Sequence, residues 1–510
     1  MKAFHKVFSV IICLHIILFI SCNDFEKNKS HQQTSNESIK AGKQLAAQYC
    51  ASCHQLPDPS LLDAKSWENG VLPAMGPRLG IFFYGDKSYP SFRNDLNVKD
   101  YYPAQQVISF DDWQHIIDYY TATSPDSLLP AKKPVAIVMN DKLFKAKQPA
   151  FTYQMPATSF VKFFPGNTLI TCDAITKKLF IFNSQLQLQD SITTPGSVTD
   201  VLQDSTKLIL CNTGLLNPNN GKFGTVESML LGNKIIADTM FKNLMRPIQI
   251  TQADFDGDGK HDYLICEFGN VAGALSWFKQ TDTGLTRNVL RAVPGAIKAY
   301  VNDYNKDGKP DVWALFAQGD EGIFLFTNKG NGLFDVKQVL KFPPSNGSSY
   351  FELDDFNKDG FPDIVYTCGD NADYSPILKP YHGVYIFLND GKNNFTQKYF
   401  YPINGCYKAI AKDFDNDGDL DIATIAFFAD YAHQPEEGFV YLKNNGNFNF
   451  QPYSLNAAKY GRWLTMDAGD FDNDGKIDLV LGNFSLAGKM IKSSIDWSKQ
   501  PEFLVLKNIQ

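Results

Sequence analysis

The chain has 510 residues, of which 44% are hydrophobic and 20% charged, so it is long and apolar enough to bury several cores. Its formal charge is −7 and it has no long basic run, which argues against a protein that binds nucleic acid through its phosphates. The 23 Tyr and 40 Phe residues favour a β-rich fold, because aromatic side chains pack well on pleated sheets.

Residues 1–21 predict an export signal, since two lysines precede an apolar run, Val7 to Ile20, that is short for a bilayer span. The segment Leu18 to Cys22 resembles a bacterial lipobox, whose cysteine is acylated and becomes the mature N-terminus. This resemblance implies a lipid anchor at Cys22 and a polar tether over residues 22–37. We therefore expect an exported protein, anchored to a bacterial membrane and facing the periplasm or the cell surface. An ordinary signal peptide is the alternative.

Three segments follow the tether. Residues 38–124 are patterned as helices at both ends, from Ile39 to Cys50 and from Phe110 to Tyr120. Residues 125–150 are rich in Pro, Ala and Lys, which predicts an interdomain linker. Residues 151–510 are periodic. The sequence therefore predicts a multidomain protein with a small all-α domain followed by an all-β repeat domain.

The first helix ends in the motif Cys50-Ala-Ser-Cys53-His54, which is typical of covalent haem attachment. Two thiols at this spacing form thioethers with the haem vinyl groups, and the adjacent His binds the iron. The preceding stretch, Gly42 to Tyr49, resembles the first helix of small cytochromes c. The resemblance implies a c-type cytochrome domain over residues 38–124 with one covalent haem. A zinc site or a redox dithiol is the alternative.

The sixth iron ligand must come from elsewhere in this domain. The turn-rich segment Leu72 to Pro77 has Met75 at its centre and resembles the Met loop of these cytochromes. A thioether ligand favours reduced iron and raises its potential, which suits an electron carrier. His115 on the last helix is the alternative ligand. Four aromatic residues are expected to wall the haem pocket: Trp67, Trp113, Tyr119 and Tyr120.

The periodic segment contains five copies of the pattern Asp-x-Asp/Asn-x-Asp-Gly. In each copy another Asp follows four residues after the last Asp of the pattern, and a β-type run comes next. Their first Asp residues are spaced 49 to 58 residues apart, which suits the blades of a β-propeller. A length of 360 residues predicts seven blades at roughly 50 residues each. Two blades must then lack the acidic loop, and Phe163 to Phe182 and Val198 to Leu216 fit them. We expect Phe151 to Met155 to pair with the last strand, Phe503 to Lys507, and close the ring.

The acidic loops have the spacing of calcium sites, with oxygen ligands at positions 1, 3, 5 and 9 and a Gly at position 6. They lack the Glu at position 12 of EF-hands and lead into strands, so they resemble the FG-GAP or VCBS repeats of integrin-like propellers. This resemblance implies up to five structural Ca²⁺ ions. The expected ligands are Asp254, Asp256, Asp258, Asp262, Asp303, Asn305, Asp307, Asp311, Asp355, Asn357, Asp359, Asp363, Asp413, Asp415, Asp417, Asp421, Asp470, Asp472, Asp474 and Asp478.

Basic and aromatic residues near the starts of the innermost strands offer a further candidate site in the central channel. An anionic or sugar-like ligand would suit them, although they could equally balance nearby carboxylates. They are Arg246, Lys298, Lys408, Arg462 and Trp463. Four cysteines of the propeller each follow a strand-like stretch and are expected to be buried free thiols rather than disulfides: Cys172, Cys211, Cys266 and Cys368.

No nucleophilic triad, phosphate-binding Gly loop or zinc-binding His pair stands out, so no catalytic residue is assigned. The main hypothesis is electron transfer through the haem, with a redox partner protein docking on a calcium-stabilised propeller. One alternative is a dehydrogenase whose propeller holds a substrate and passes electrons to the haem. A surface adhesion or scaffold module is the other.

Overall fold

The computed structural model describes residues 34–152, 155–204, 206–230, 235–372, 374–486 and 493–510. The predicted export signal, Cys22 and most of the proposed tether lie outside these residues. No helix among the described residues is long and apolar enough to cross a membrane.

The N-terminal part is helical, with a core of aromatic and aliphatic side chains. Helix α1 spans Asn36–Tyr49, α2 Ala64–Ser66, α3 Leu72–Met75 and α4 Phe110–Thr123. A π-helical turn, Trp67–Val71, joins α2 to α3, and short 3₁₀ turns span Cys50–Ser52, Pro59–Leu61, Gly76–Leu79 and Leu96–Val98. A small hairpin pairs β1 (Phe83–Tyr84) with β2 (Lys87–Ser88).

Helices α1 and α4 are the two predicted helices, and they pack closely against each other. Their N-termini are capped by Ser35 and Ser109, whose side chains accept hydrogen bonds from backbone amides in the first turn. Gly42 is needed at the crossing, since a Cβ atom there would lie 1.8 Å from the carbonyl oxygen of His115. This crossing fixes the second turn of α1, which precedes the thiol motif by about two turns.

The rest of the chain forms seven antiparallel blades, as the repeat spacing predicted. Blades 1 and 2 lack the acidic loop, and blades 3 to 7 carry it. The strands of blades 1 to 3 are β5 (Thr158–Phe164), β6 (Thr168–Asp173), β7 (Lys178–Phe182), β8 (Leu188–Thr193), β9 (Val198–Asp204), β10 (Lys207–Asn212), β11 (Gly224–Leu230), β12 (Ile235–Leu244), β13 (Pro247–Ala253), β14 (Asp262–Glu267), β15 (Ala274–Thr281) and β16 (Gly284–Arg291).

In each blade the strands follow one another in chain order from the innermost to the outermost, except that the outermost strands of blades 6 and 7 come from an earlier part of the chain. The strands of blades 4 to 7 are β17 (Ala296–Asn302), β18 (Asp311–Phe316), β19 (Gly322–Gly330), β20 (Leu333–Lys341), β21 (Ser348–Asp354), β22 (Asp363–Cys368), β23 (Gly383–Asn389), β24 (Phe395–Pro402), β25 (Cys406–Lys412), β26 (Asp421–Ala426), β27 (Phe439–Asn444), β28 (Phe450–Ser454), β29 (Trp463–Gly469), β30 (Asp478–Asn483) and β31 (Phe503–Asn508).

The ring is closed by a strand that the sequence analysis assigned to the linker. Strand β4 (Phe144–Lys147) pairs antiparallel with β31 and completes blade 7, whereas Phe151 and Thr152 lie in no strand. Strand β3 (Val138–Met139) adds a fifth strand to blade 6. The predicted pairing of Phe151 to Met155 is therefore wrong, and the propeller begins before residue 151.

The helical domain covers one face of the propeller, called here the upper face, which carries the loops between second and third strands. The Tyr381 hydroxyl donates to the carbonyl of Leu61 (3.0 Å), and Asn220 Nδ2 donates to Asp95 Oδ2 (3.0 Å). Ile377 packs against the helical core. The acidic loops join first to second strands, so they lie on the opposite face.

Candidate haem and calcium sites

The two thiols of the motif lie at the end of α1. Cys50 begins a 3₁₀ turn, and the amide of Cys53 donates to its carbonyl (3.4 Å). Both thiols are free, with Cys50 partly buried and Cys53 exposed. Burial raises the pKa of Cys50 to about 11, so this thiol is protonated at neutral pH.

The His54 ring is oriented by the backbone beside it. Its Nδ1 lies 2.8 Å from the carbonyl oxygen of Gln55, which only accepts, so Nδ1 carries the proton and Nε2 presents a lone pair. Burial is the main cause that lowers the pKa of His54, which favours the neutral imidazole. A neutral imidazole whose other nitrogen is held by a carbonyl is the usual arrangement of a metal-binding His.

The positions of Met75 and His115 separate the two candidates for the sixth ligand. Met75 ends α3 and packs against the same hydrophobic core as Cys50. His115 Nδ1 lies 2.7 Å from the hydroxyl of Ser38, which precedes Cys50 by twelve residues on α1. At 1.5 Å per residue, Ser38 lies about 18 Å along the helix from the thiols. This placement favours Met75.

The four aromatic residues expected to wall the pocket are buried, and two of them hold the chain that follows the motif. Trp67 Nε1 donates to the carbonyl of Pro59 (2.9 Å), and the Tyr120 hydroxyl donates to that of Pro57 (3.1 Å). Their rings pack with centroids 4.3 Å apart. Their polar atoms are thus satisfied within the protein, as packing residues require.

Two free thiols, a directed neutral imidazole and a thioether form a donor set that fits a c-type haem, and Cys50 and Met75 of this set pack against one core.

The five acidic loops share one backbone geometry. In the first, Asp254 Oδ1 accepts from the amide of Asp258 (3.1 Å) and Oδ2 from that of Gly259 (2.8 Å), and the other four repeat the pattern. The Gly at position 6 has φ between 83° and 91° in all five loops, a left-handed conformation that favours glycine. In three loops, three carboxylates bring oxygens within 4.8 Å of one another: Asp254, Asp256 and Asp262; Asp413, Asp415 and Asp417; and Asp470, Asp472 and Asp474.

Comparison with known families agrees with this geometry. The family described as FG-GAP-like repeat matches residues 254–314, 303–366 and 427–481, which include four of the five acidic loops. The chain carries FG-GAP-like repeats.

Curated relatives match part of the chain. Cartilage acidic protein 1 of Xenopus tropicalis is 28% identical over 258 residues, covering 45% of this chain and 37% of that protein. The Homo sapiens protein of the same name is 26% identical over 251 residues, covering 45% of this chain and 36% of that protein. The match therefore spans little more than a third of these relatives.

Solved structures with related architecture include the N-terminal domain of Nup159, with a TM-score of 0.43 and 11% identity over 74% of this chain and 98% of that one. Virginiamycin B lyase from Staphylococcus aureus has a TM-score of 0.46 and 12% identity over 72% of this chain and all of that one.

The Asp at position 9 of each FG-GAP-like repeat holds strands together. Asp421 is fully buried; its Oδ1 accepts from the amide of Asn444 (2.8 Å) and its Oδ2 from that of Phe414 (3.3 Å). The other four make the same bond to the third strand, from Gln280, Asn328, Asn389 and Asn508. Whether or not an ion is bound, these carboxylates join loop, second strand and third strand.

Sequence reasoning missed a lysine that pairs with the Asp at position 3. In three repeats the ammonium of a third-strand lysine contacts that carboxylate: Lys279 with Asp256, Lys443 with Asp415, and Lys507 with Asp472. The two repeats with Asn at position 3 have Thr327 and Leu388 at the equivalent strand position. The lysine thus balances the additional carboxylate. The recurring Lys-Asn or Lys-Gln pair at the end of the third strand was the available signal.

The central channel is closed by side chains that bridge every pair of neighbouring blades. Each bridge uses the third or fifth residue of an inner strand. In ring order they are Lys162 to the Val201 carbonyl (3.2 Å), Asp200 to the Ile250 amide (3.1 Å), Gln249 to the Ala299 carbonyl (2.9 Å), Tyr300 to Tyr350 (3.2 Å), Glu352 to the Ala411 amide (2.8 Å), Lys408 to the Met466 carbonyl (2.8 Å) and Asp467 to the Phe163 amide (2.8 Å).

Of the five proposed channel residues, only Lys408 forms one of these bridges, and the ammonium of Lys298 lies over the ring of Tyr300, 4.8 Å from its centroid. Arg462 is buried, with Nε donating to the carbonyl of Phe427 (3.1 Å) and Nη1 to that of Leu486 (2.6 Å). Trp463 is buried and donates to a backbone carbonyl. Arg246 donates to the carbonyls of Gly269 (2.5 Å) and Leu216 (2.9 Å) on the upper face. Each of these three side chains therefore holds a loop through a hydrogen bond to a backbone carbonyl.

Proposed function

We propose that this chain is a lipid-anchored, single-haem electron-transfer protein whose propeller serves as a platform for a redox partner protein. The observation that carries the proposal is the His54 ring, whose Nδ1 is held by the Gln55 carbonyl beside two free thiols. When bound, the haem would supply one-electron chemistry. The chain's own residues would attach it through Cys50 and Cys53, orient it through His54 and Met75, and cover it with the aromatic core.

The propeller's part rests on the FG-GAP-like repeats, which form a rigid binding or scaffold platform beside the motif. Calcium in up to five acidic loops would neutralise clustered carboxylates and stiffen the face opposite the helical domain. Export and a lipid on Cys22 would place the protein at a bacterial membrane, facing the periplasm or the cell surface.

Haem attachment is tested by producing the full chain in cells with a c-type haem maturation system and recording reduced-minus-oxidised spectra after denaturation. Covalent haem bands are expected for the parent and for Ser52→Ala, a control in the same turn, and are expected to be lost in Cys50→Ser/Cys53→Ser. A parent protein without covalent haem would refute the proposal.

The same preparation distinguishes electron transfer from oxidation of a substrate held by the propeller. An electron carrier is reduced by dithionite and stays oxidised when sugars or alcohols are added alone. Reduction by an added sugar or alcohol would make the chain a haem-linked dehydrogenase. Partner binding that survives loss of the haem and fails after calcium chelation would indicate an adhesion or scaffold module instead.

A further inference from the structure

The propeller brings charged residues to the part of the upper face that adjoins the thiol motif. The Tyr381 hydroxyl contacts the carbonyls of both Leu61, seven residues after His54, and Ser345, four residues after Lys341 (3.0 and 3.3 Å). Blade 4 therefore meets the helical domain beside the motif. Asp320 and Lys341 of that blade, together with Arg78, also influence the pKa of His54.

Arg291 is the central residue of this region. Its Nη2 donates to Asp320 Oδ2 (2.8 Å), and its guanidinium carbon lies 3.9 Å from the ring centroid of Phe324. Lys341 Nζ lies 3.7 Å from Asp320 Oδ1. We call Arg78, Arg291, Lys341 and Asp320 the cationic cluster. It has three positive charges and one negative charge.

Several buried polar atoms at this place have no hydrogen-bond partner among the described residues. Arg291 Nη1 and Asp320 Oδ1 are two of them. The others belong to blade 4 loops, its outer strand and the residue after His54: Gln318 Oε1, Gln338 Nε2, Ser345 Oγ and Gln55 Oε1. Native proteins rarely leave buried polar atoms unpaired, so their concentration here indicates that a polar group belongs between the domains.

The charge of the cluster indicates the chemistry of that group. The three cationic side chains of the cluster outnumber the carboxylate of Asp320, while the neighbouring carboxylate of Glu321 is held by the amide and hydroxyl of Ser348. The partly buried guanidinium of Arg291, whose buried Nη1 has no partner among the described residues, is suited to a carboxylate oxygen. A haem carries two carboxylates, and the residues proposed to bind it lie beside the cluster.

We propose that the cationic cluster binds the carboxylates of the haem, so that the propeller completes the haem site of the helical domain. This inference rests on the proposed haem attachment. It makes Arg291 and Lys341 binding residues, and it couples the reduction potential to the docking of the two domains, because positive charge near the haem stabilises the reduced form.

The test measures the reduction potential of the haem-loaded full chain as a function of pH for Arg291→Gln and Lys341→Gln. Both changes are expected to lower the potential and to move its pH-dependent region to higher pH, since carboxylates that lose a cationic partner ionise less readily. Lys337→Gln is the matched control, because Lys337 lies on the same strand and contacts the carbonyl of Asn393 (2.9 Å) in the next blade. It should change neither quantity.

Potentials and pH profiles that equal those of the parent in both variants would overturn the inference. If Arg291→Gln does not fold, Lys341→Gln decides alone, since its side chain is 47% exposed and its loss leaves the core intact. Failure of the proposed function is a separate result, namely a parent chain without covalent haem.

A free carboxylate anion could use the same chemistry, and acetate is the probe for it. Acetate is expected to bind the haem-free Cys50→Ser/Cys53→Ser protein weakly and to be excluded from the haem-loaded parent. Equal acetate binding to both forms, abolished by Arg291→Gln, would assign the cluster to a free anion and overturn the inference.

Discussion

Asp467 Oδ2 in blade 7 accepts a hydrogen bond of 2.8 Å from the backbone amide of Phe163 in blade 1, joining residues 304 positions apart. This bond is the last of the seven bridges around the channel, and with the pairing of β4 and β31 it closes the ring. The acidic side chain is therefore structural, although it lies on an inner strand where a ligand could be sought.

Replacing Asp467 by Ala should lower the free energy of unfolding by about 1–3 kcal/mol, because a backbone amide near the channel loses its acceptor. Urea unfolding in the presence of calcium measures the loss. Asp335→Ala is the control, since the Asp335 side chain is 75% exposed and pairs with the surface residue Lys329. A loss no larger than in this control would contradict the bridging role.

Glu352 should make stability depend on pH. Burial raises the pKa of Glu352 to about 7, above its ordinary value of 4.5, so the folded state binds this proton more tightly than the unfolded state. Its contribution is fully present below pH 4.5 and is lost as pH rises through 7. Glu352→Gln keeps an acceptor for the Ala411 amide and should be more stable than the parent by roughly 1–3 kcal/mol at pH 8.

Thermal unfolding from pH 4 to pH 8 tests this difference. The stabilisation by Glu352→Gln should disappear at low pH, and Glu68→Gln on the helical domain should leave the profile of the parent unchanged. Parallel profiles for parent and Glu352→Gln would refute the prediction.

The lysines of the acidic loops should matter most when calcium is absent. Lys443→Gln leaves the Asp415 carboxylate without its ammonium partner, so chelation should lower stability by about 1–2 kcal/mol more than in the parent, and excess Ca²⁺ should restore it. Asn305→Asp adds a carboxylate to a repeat that has Thr327 in place of the third-strand lysine, and it should behave in the same way.

Differential scanning calorimetry with EGTA and then with CaCl₂ measures both variants. Lys398→Gln serves as the comparison, because Lys398 lies over the ring of Phe448 and contacts no loop carboxylate among the described residues. A loss in Lys443→Gln that calcium does not repair would mean that the lysine acts through packing alone.

The fold was predictable where the sequence repeats. Five acidic loops at blade-like intervals, together with the length of the periodic segment, indicated seven blades. The four propeller cysteines expected to be buried free thiols are buried and free. Strand β4 was not predictable, because only Phe144 of its four side chains is buried and the segment has no clear alternation. It is held by its pairing with β31 and by Phe144 packing on Tyr441, contacts that are remote in sequence.

The sequence predicted which residues stand at the candidate sites better than it predicted what their side chains contact. Spacing located the thiols, His54 and the acidic loops. Spacing did not predict where the side chains of Arg246 and Arg462 point, and both donate to loop carbonyls. It predicted position 9 only as an ion ligand, whereas both oxygens of Asp421 accept hydrogen bonds from backbone amides. Side-chain direction depends on the neighbouring blade, which local sequence does not specify.

Position 9 should therefore differ from position 5 in a mutational test. Asp421→Asn places an NH2 donor against one of the two backbone amides, that of Phe414 or that of Asn444, so unfolding should be easier by about 2–4 kcal/mol with or without calcium. Asp417→Asn should leave calcium-free stability nearly unchanged and weaken calcium binding only. Equal calcium dependence of the two variants in urea unfolding would assign Asp421 to the ion.

Met75 rather than His115 should be the sixth iron ligand, because the α1–α4 crossing holds His115 far from the thiols. In the haem-loaded protein, Met75→Ala should abolish the long-wavelength Met–iron absorbance of the oxidised form and lower the reduction potential, because a soft ligand that favours reduced iron is removed. His115→Ala should keep both properties, since His115 contacts Ser38 at the far end of α1. Met139→Ala, in an exposed position of blade 6, controls for loss of a methionine elsewhere. If His115→Ala removes the absorbance and Met75→Ala retains it, the ligand assignment is reversed, and α4 would have to turn its His115 away from Ser38 when haem binds.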